Sequence, residues 1–340
     1  MKRNAIFNRY WIWTIVFSIL LLHGQGFAQA RVEADMPWIS YKGEKGPGKG
    51  RHIVLISGDE EYRSEEALPA LGRLLSEQHG FDCTVLFAIN RETGRIDPTV
   101  TDNIPGLHLL KKADIMILFT RFRNLPAEQM RYFEDYLKEG KPILALRTAT
   151  HAFNFPKESP YFKYSYNSDV MGWEGGFGKQ ILGETWISHH GDHGSEGTMT
   201  IKTTSEHSIL TGVKPIWVPT DVYTAAPSAD AIVLLLGQPT RGMDANSPLN
   251  RNKSPMPVAW TKLYRVKEGK QGKVFTTTMG SSVDLLNENL RRLLINATFW
   301  AAGMESKIRS DLSVELSDNY APTMFGFDAF KRNTTPEDRK

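Results

Sequence analysis

His52-Ile53-Val54-Leu55-Ile56-Ser57-Gly58 is the stretch on which the fold turns. An unbroken apolar run closed by glycine leaves no side for water, which is what a parallel strand covered on both faces requires. The next segment has a different period. From Glu65 to His79, the residues Ala67, Leu68, Leu71, Leu74 and Leu75 recur at helical spacing, and Gly80 is placed to stop the helix. The alternation continues outward: Cys83–Phe87 reads as a strand, Asp114–Phe119 as a third, Ala127–Lys138 as a helix with Met130, Phe133 and Leu137 on one face, and Pro142–Leu146 as a fourth strand. Strands separated by helices of this length need right-handed crossovers, and so build an open parallel sheet with helices on both faces. Further strands are expected at Ala231–Leu236, Val258–Tyr264 and Lys273–Thr278, then an amphipathic helix from Leu285 to Ala302. Between the two halves, residues 151–200 are rich in histidine, glycine and aromatic residues and show no period. A long loop excursion of this kind has the character of a functional insertion.

The chain has 340 residues, 41% hydrophobic and 23% charged, the composition of a globular protein with a core. Residues 1–30 read as a secretory signal peptide. Lys2, Arg3 and Arg9 accompany an apolar segment from Trp11 to Leu22 that is short for a membrane span, and Ala28-Gln29-Ala30 has the form of a cleavage site. The expectation is export to the periplasm or the medium, with no stable membrane span after cleavage. Removing those three cations from 41 basic residues leaves 38, equal to the 38 acidic ones, and a neutral chain argues against a nucleic-acid partner. The single cysteine, Cys83, excludes an intramolecular disulfide and a cysteine metal cluster, and within its strand it reads as a small buried hydrophobe. Residues 31–50 read as a linker, glycine-rich over 42–50; 51–305 as one domain; and 306–340 as a tail, mobile at its end.

In an open parallel sheet, ligands bind outside the carboxyl ends of the strands. Four segments there are polar: Ser57–Ser64 with Asp59, Glu61 and Tyr62; Thr120–Asn124 with Arg121; Arg147–Phe153 with Thr148 and His151; and Thr278–Asp284 with Ser281. Each taken singly is also explained by ordinary turn chemistry, with Asp59 or Ser64 capping a helix and Arg121 pairing with Glu60 or Glu61. Four together point to a polar pocket. Glu61, His151 and His190 are the candidate catalytic groups, and Arg147, Arg121, Tyr62, Thr148 and Ser281 the candidate ligand-binding ones.

The excursion holds Ser188-His189-His190-Gly191-Asp192-His193-Gly194. Three imidazoles and a carboxylate so close together suit metal ligands, general bases or hydrogen bonds to sugar hydroxyls. Adjacent histidines in an extended chain face opposite ways, and the expectation is His190 and His193 inward with His189 outward. His190, His193 and Asp192 are the candidate metal ligands. The competing role for these histidines, and for His151, is to tie their loops together. Ser195 lacks the setting of a nucleophile elbow. Trp173, Trp186, Tyr161, Tyr164 and Phe177 suit either stacking on sugar faces or packing of the loop.

These residues together resemble the ThuA-like (trehalose-utilisation) family, over about 51–303. The resemblance rests on His52–Ser57 with Glu61 and Tyr62, Pro142–Phe153, His189-His190-Gly191, Pro257–Thr261, Gly272–Gly280 and Asn296–Ala301. It implies a flavodoxin-like fold of the class I glutamine-amidotransferase type and a link to sugar metabolism. In amidotransferases the turn after the corresponding strand carries the nucleophilic cysteine, and ThuA-like proteins commonly have histidine there; this chain has Arg147. The late turn that carries a triad histidine, or a Gly-His pair, reads Gly280-Ser281. A guanidinium stays protonated and is neither nucleophile nor base, so thiol-based amide hydrolysis is excluded. It can instead fork hydrogen bonds to a carboxylate, a diol or an oxyanion.

Three functions stand as expectations. The first is an exported enzyme acting on a carbohydrate or oxidised-sugar derivative, with His151 or His190 as acid/base, Glu61 as a second carboxylate, and Arg147 with Arg121 as a clamp. The second is a non-catalytic sugar-binding module. The third is a metal-dependent hydrolase built on the His189–His193 loop. No organic cofactor is implied, a divalent metal stays open, and the expected partner is a small carbohydrate.

Overall fold

The computed structural model describes residues 36–340, so the expected leader at 1–30 lies outside the described residues. The chain runs β1 (Trp38–Tyr41), β2 (His52–Gly58), α1 (Ser64–His79), β3 (Asp82–Leu86), β4 (Ile115–Thr120), α2 (Ala127–Lys138) and β5 (Ile143–Leu146). After the excursion come β6 (Thr198–Lys202), β7 (Trp217–Val218), β8 (Ile232–Pro239), β9 (Met256–Arg265), β10 (Gln271–Thr277) and α3 (Glu288–Ala301). All ten strands join one sheet in the order β1-β3-β2-β4-β5-β10-β9-β8-β6-β7.

The inner five strands, β3-β2-β4-β5-β10, pair parallel. Strand order reverses between β2 and β4, so the connections leaving their carboxyl ends diverge and open a crevice there. The strands expected late in the chain are present, but β9, β8, β6 and β7 continue the sheet antiparallel, as does β1 at the far edge. The reason is connection length: residues 266–270 between β9 and β10 are too few for a crossover and allow only a hairpin.

Side chains alternate across β2 as strand geometry requires. Ile53 and Leu55 join the core under α1 and α3, with Leu71, Leu75, Leu290 and Leu294. Val54 and Ile56 join the opposite core, with Met130 and Phe133 of α2. The excursion helps α2 to cover that second face, supplying Phe153, Phe155, Tyr164, Phe177, Ile181 and Leu182. Of the excursion's aromatic residues, Tyr164 and Phe177 are therefore core, with Trp173 and Tyr161 packed against it. Cys83 is a buried hydrophobe, and burial pushes its thiol well up.

Two segments differ from expectation. Within the supposed linker, 38–41 form β1, and the Gly48 N–H donates to the His79 carbonyl at 2.8 Å. Gly46 approaches so closely that a Cβ there would lie 2.4 Å from the His79 oxygen, which is why this stretch is glycine-rich. The tail packs down rather than hanging free. Arg291 donates to Val314 O at 2.6 Å, Tyr320 to Ser282 O at 2.7 Å, and Ile96 N to Thr334 O at 2.8 Å. Among the described residues, no helix is long and apolar enough to cross a membrane.

Candidate functional site

The site is organised around a buried ion pair. Arg147 is the first residue after β5 and takes φ 45°, a left-handed conformation that turns the chain sharply off the strand and lifts its side chain above the sheet. Its guanidinium is fully buried. One terminal nitrogen donates to the carbonyls of Asp221 and Thr278, both at 2.7 Å; the other donates to Asp221 Oδ1 at 2.6 Å and to the Tyr62 hydroxyl at 2.9 Å. The Tyr62 and Tyr223 rings lie over it at 4.3 and 4.0 Å. Only Nε lacks a partner, and it too is buried. The expected substrate clamp is thereby corrected: the donors of Arg147 are occupied by the protein itself, because a charge buried this deeply requires pairing.

Asp221, which the sequence reading missed, is the centre of the arrangement. Its carboxylate is buried, with Oδ1 on Arg147 and Oδ2 accepting from His189 Nδ1 at 2.7 Å. Burial alone would raise its pKa; Arg147, His189 and His193 overcome that and hold it well below the usual carboxylate range. His193 Nδ1 reaches Asp221 Oδ1 at 3.3 Å, and its Nε2 reaches Glu61 Oε1 at 3.1 Å. Hydrogen bonds to Asp221 and to Glu61 raise the His193 pKa to about 9, so it is a cation at neutral pH. The two histidine rings lie 4.7 Å apart.

The orientation expected within the His189–His193 loop is reversed. His189 pairs in an antiparallel bridge with Tyr223, and that register turns His189 toward Asp221. His190 consequently faces the other way, where Nε2 meets Ser254 O at 2.7 Å, and Asp192 pairs with Lys253 at 2.7 Å. Neither reaches the site, so His190 is not a candidate acid/base and the metal set His190, His193, Asp192 does not form. Among the described residues, the set whose ligand atoms lie within 4.8 Å of one another is His189, His193 and Asp221. Asp221 already neutralises Arg147 and receives both histidines, so a divalent ion would compete with those bonds for the carboxylate.

Glu61 is buried and close to Arg121, whose Nε lies 3.5 Å from Oε2. Arg121 is also paired with Glu60 and packs on the Phe122 ring at 4.5 Å, leaving its side chain 19% exposed at the rim. His151 lies among Phe122, Trp186 and Tyr223, at 5.1, 5.4 and 6.1 Å between ring centres, with Nδ1 3.2 Å from Thr150 Oγ1. Burial first, then the charges of Arg121 and Arg147, hold its pKa well below the ordinary value, so it is neutral.

Thr148 and Ser281 belong to the scaffold instead of a ligand surface. Both are fully buried. Thr148 donates to Asp59, whose other oxygen receives the Glu61 and Tyr62 amides, and burial moves the Asp59 pKa up to about 6. Ser281 closes a turn on Asp284, accepting from the Asp284 amide at 3.3 Å while its own amide donates to the Asp284 carboxylate at 3.1 Å. Tyr62, Arg147, His189 and His193 meet around Asp221, with Glu61 joined through His193; Arg121 reaches the group through Glu61, and His151 borders it through the Tyr223 ring.

The two histidines are held differently, His189 by one carboxylate and His193 by two. With Asp221 ionised, Nδ1 of His189 is the donor, and Nε2 is the ring nitrogen left for a ligand. Among the described residues, nothing hydrogen-bonds that Nε2, and the ring is about one-third exposed. Beside it stands the His193 cation.

Comparison with known proteins bears on the whole of this frame. The chain is similar to a protein described as ThuA-like from Bacteroides uniformis ATCC 8492, with 14% identity and a TM-score of 0.46 over 77% of this chain and 95% of that one. It is similar also to one from Parabacteroides merdae ATCC 43184, with 14% identity and a TM-score of 0.49 over 82% and 98%. No curated protein matches the chain. The pattern of the ThuA family, described as trehalose utilisation, matches residues 52–301, a span that includes every strand from β2 to β10, the Arg147 turn and the His189–His193 loop. The chain belongs to the ThuA family.

Proposed function

We propose that the chain is an enzyme that moves a proton on a carbohydrate or oxidised-sugar derivative, with His189 as base and the His193 cation as electrostatic support. The family's description supplies the sugar. The observation that carries the chemistry is the Asp221-oriented His189, with Nε2 open, beside a histidine cation held by two carboxylates. Nε2 of His189 takes a proton from a hydroxyl, or from carbon next to a carbonyl, and returns it at the neighbouring atom, while the His193 cation, its N–H groups held by Asp221 and Glu61, lowers the cost of the negative charge that accumulates between the two transfers. Phe122, Tyr166 and Trp186, half-buried around the neutral His151, give the pocket an aromatic side suited to the apolar face of a pyranose. Glu61 tunes His193, and Arg121 supplies charge at the rim.

The test is a panel of glycosides and keto-sugars offered to the purified chain and to His189→Ala. Turnover that falls by roughly 10²–10⁴-fold in the variant, with ligand binding retained, supports the reading. Equal turnover by both removes His189 from the chemistry. Binding without turnover by the wild type favours the binding-module alternative. The His189, His193 and Asp221 cluster keeps a metal-dependent hydrolase as a second reading; stoichiometric zinc or manganese in untagged protein, lost in His189→Ala, would establish it. We also propose export, on the strength of residues 1–30; the amino terminus of the protein recovered from its source cell should then begin at Arg31.

A further inference from the structure

The family match ends at residue 301, yet the tail beyond it reaches the site. After crossing α1, where the Thr323 amide and hydroxyl bind Glu66 at 2.8 and 2.9 Å, the chain is clamped at Gly326. The Gly326 amide donates to the carbonyl of Glu61 at 2.7 Å, and its carbonyl accepts from the buried Arg63 at 2.6 Å. Both partners lie in the turn that carries Glu61 and Tyr62. The clamp fixes the two flanking rings. Phe325 packs on Tyr62 and His193, with ring centres 5.3 and 5.8 Å away. Phe327 lies over Arg121, 5.1 Å from its guanidinium, and is 55% exposed.

A phenylalanine left this open, on a backbone held at both polar atoms of the preceding residue, contributes little to the core. It stands on Arg121 at the exposed edge of the charged cluster, where Arg121 meets Glu60 and Glu61 and Glu61 meets His193. We propose that Phe327 is a stacking platform for the substrate's sugar ring, positioned by Phe325 and the Gly326 clamp, so that the tail helps to decide which sugars the site accepts. This rests on the carbohydrate reading above. Sugar rings offer a face of C–H groups that packs on an aromatic plane, while their hydroxyls reach the Arg121 and histidine side of the pocket.

The full chain is titrated calorimetrically with trehalose, sucrose, maltose and glucose, alongside Phe327→Ala, Phe327→Leu and Phe327→Trp. Phe327→Ala and Phe327→Leu should bind about three- to tenfold more weakly and reorder the four sugars, while Phe327→Trp keeps the wild-type order. Melting temperatures should stay within about 2 °C, since the ring is mostly outside the core. Wild-type affinities in Phe327→Ala, or full affinity in Phe327→Leu, would overturn the platform while leaving the carbohydrate reading intact. A wild type that binds none of the four, and nothing from the wider panel, would overturn both.

Discussion

Arg147→Ala should destabilise the protein severely, and the size can be worked from what the guanidinium touches. It is fully buried, bonds the Asp221 carboxylate at 2.6 Å, and satisfies two carbonyls and a tyrosine hydroxyl. Truncation leaves Asp221 as a buried carboxylate without its cation, a loss of about 3–5 kcal/mol where such pairs are broken from one side. At about 2–4 °C per kcal/mol for a chain of this size, the melting temperature should fall on the order of 10 °C. Urea unfolding followed by circular dichroism reads the loss directly. Asp221→Asn removes the other partner, and the double variant should cost at least about 1 kcal/mol less than the two single losses together, because the second change no longer strands a charge. An Arg147→Ala protein that melts within about 2 °C of the wild type and loses only ligand affinity would refute this account and restore Arg147 as a free substrate clamp.

His193 makes stability depend on alkaline pH. Its pKa is raised to about 9 from an ordinary 6.5, so its contribution is complete below about pH 6.5 and is lost as pH rises through about 9; imidazole resonances in an NMR titration should move at about 9, and near the ordinary value in Glu61→Gln with Asp221→Asn. Asp221 has the opposite sign: its depressed pKa contributes stability above the ordinary carboxylate value and loses it only as pH falls well below, so Asp221→Asn should flatten the acid limb of the stability profile. Thr148→Val should cost about 1–3 kcal/mol by removing the hydroxyl from buried Asp59, with sugar affinity unchanged; a loss of affinity at unchanged stability would return Thr148 to the ligand surface. Under the proton-transfer reading, incubation with a strong chelator should leave turnover unchanged, and loss of turnover restored by zinc would transfer the chemistry to a metal.

The parallel centre was legible because strands buried on both faces need unbroken apolar runs, and Ile53–Ile56, Ile115–Phe119 and Ile143–Leu146 supply them. Strand direction beyond β10 was not, since apolar content does not record which way a neighbour runs. The rule that ligands sit beyond strand carboxyl ends found Glu61, Tyr62, Arg121, Arg147 and His151. It could not find Asp221, which follows the two-residue β7 at the far edge of the sheet and arrives through pairing with the excursion. The same pairing decides that His189 and not His190 turns inward, and its register is a long-range property. One signal was available: an arginine directly after a core strand would be buried, a buried guanidinium demands a carboxylate, and Asp221, set between Thr220 and the apolar Val222-Tyr223, is placed to supply it.

The Arg147 turn places a guanidinium where the sequence resemblance would put a nucleophile. A left-handed non-glycine residue costs about 1–2 kcal/mol and persists where surrounding contacts over-determine it. Here the contacts are the four polar bonds and two aromatic faces around the guanidinium. The sharp turn still lifts a side chain into the crevice, but arginine at that point cannot attack a carbonyl. Its effect is to keep Asp221 ionised in a dry position, and an ionised Asp221 is what orients His189 and helps to charge His193. Under the proton-transfer reading the reactive position lies in the excursion, two bonded partners from the turn, and the feature that would show it is a loss of activity in Arg147 variants that tracks the protonation of Asp221 instead of the contact with substrate.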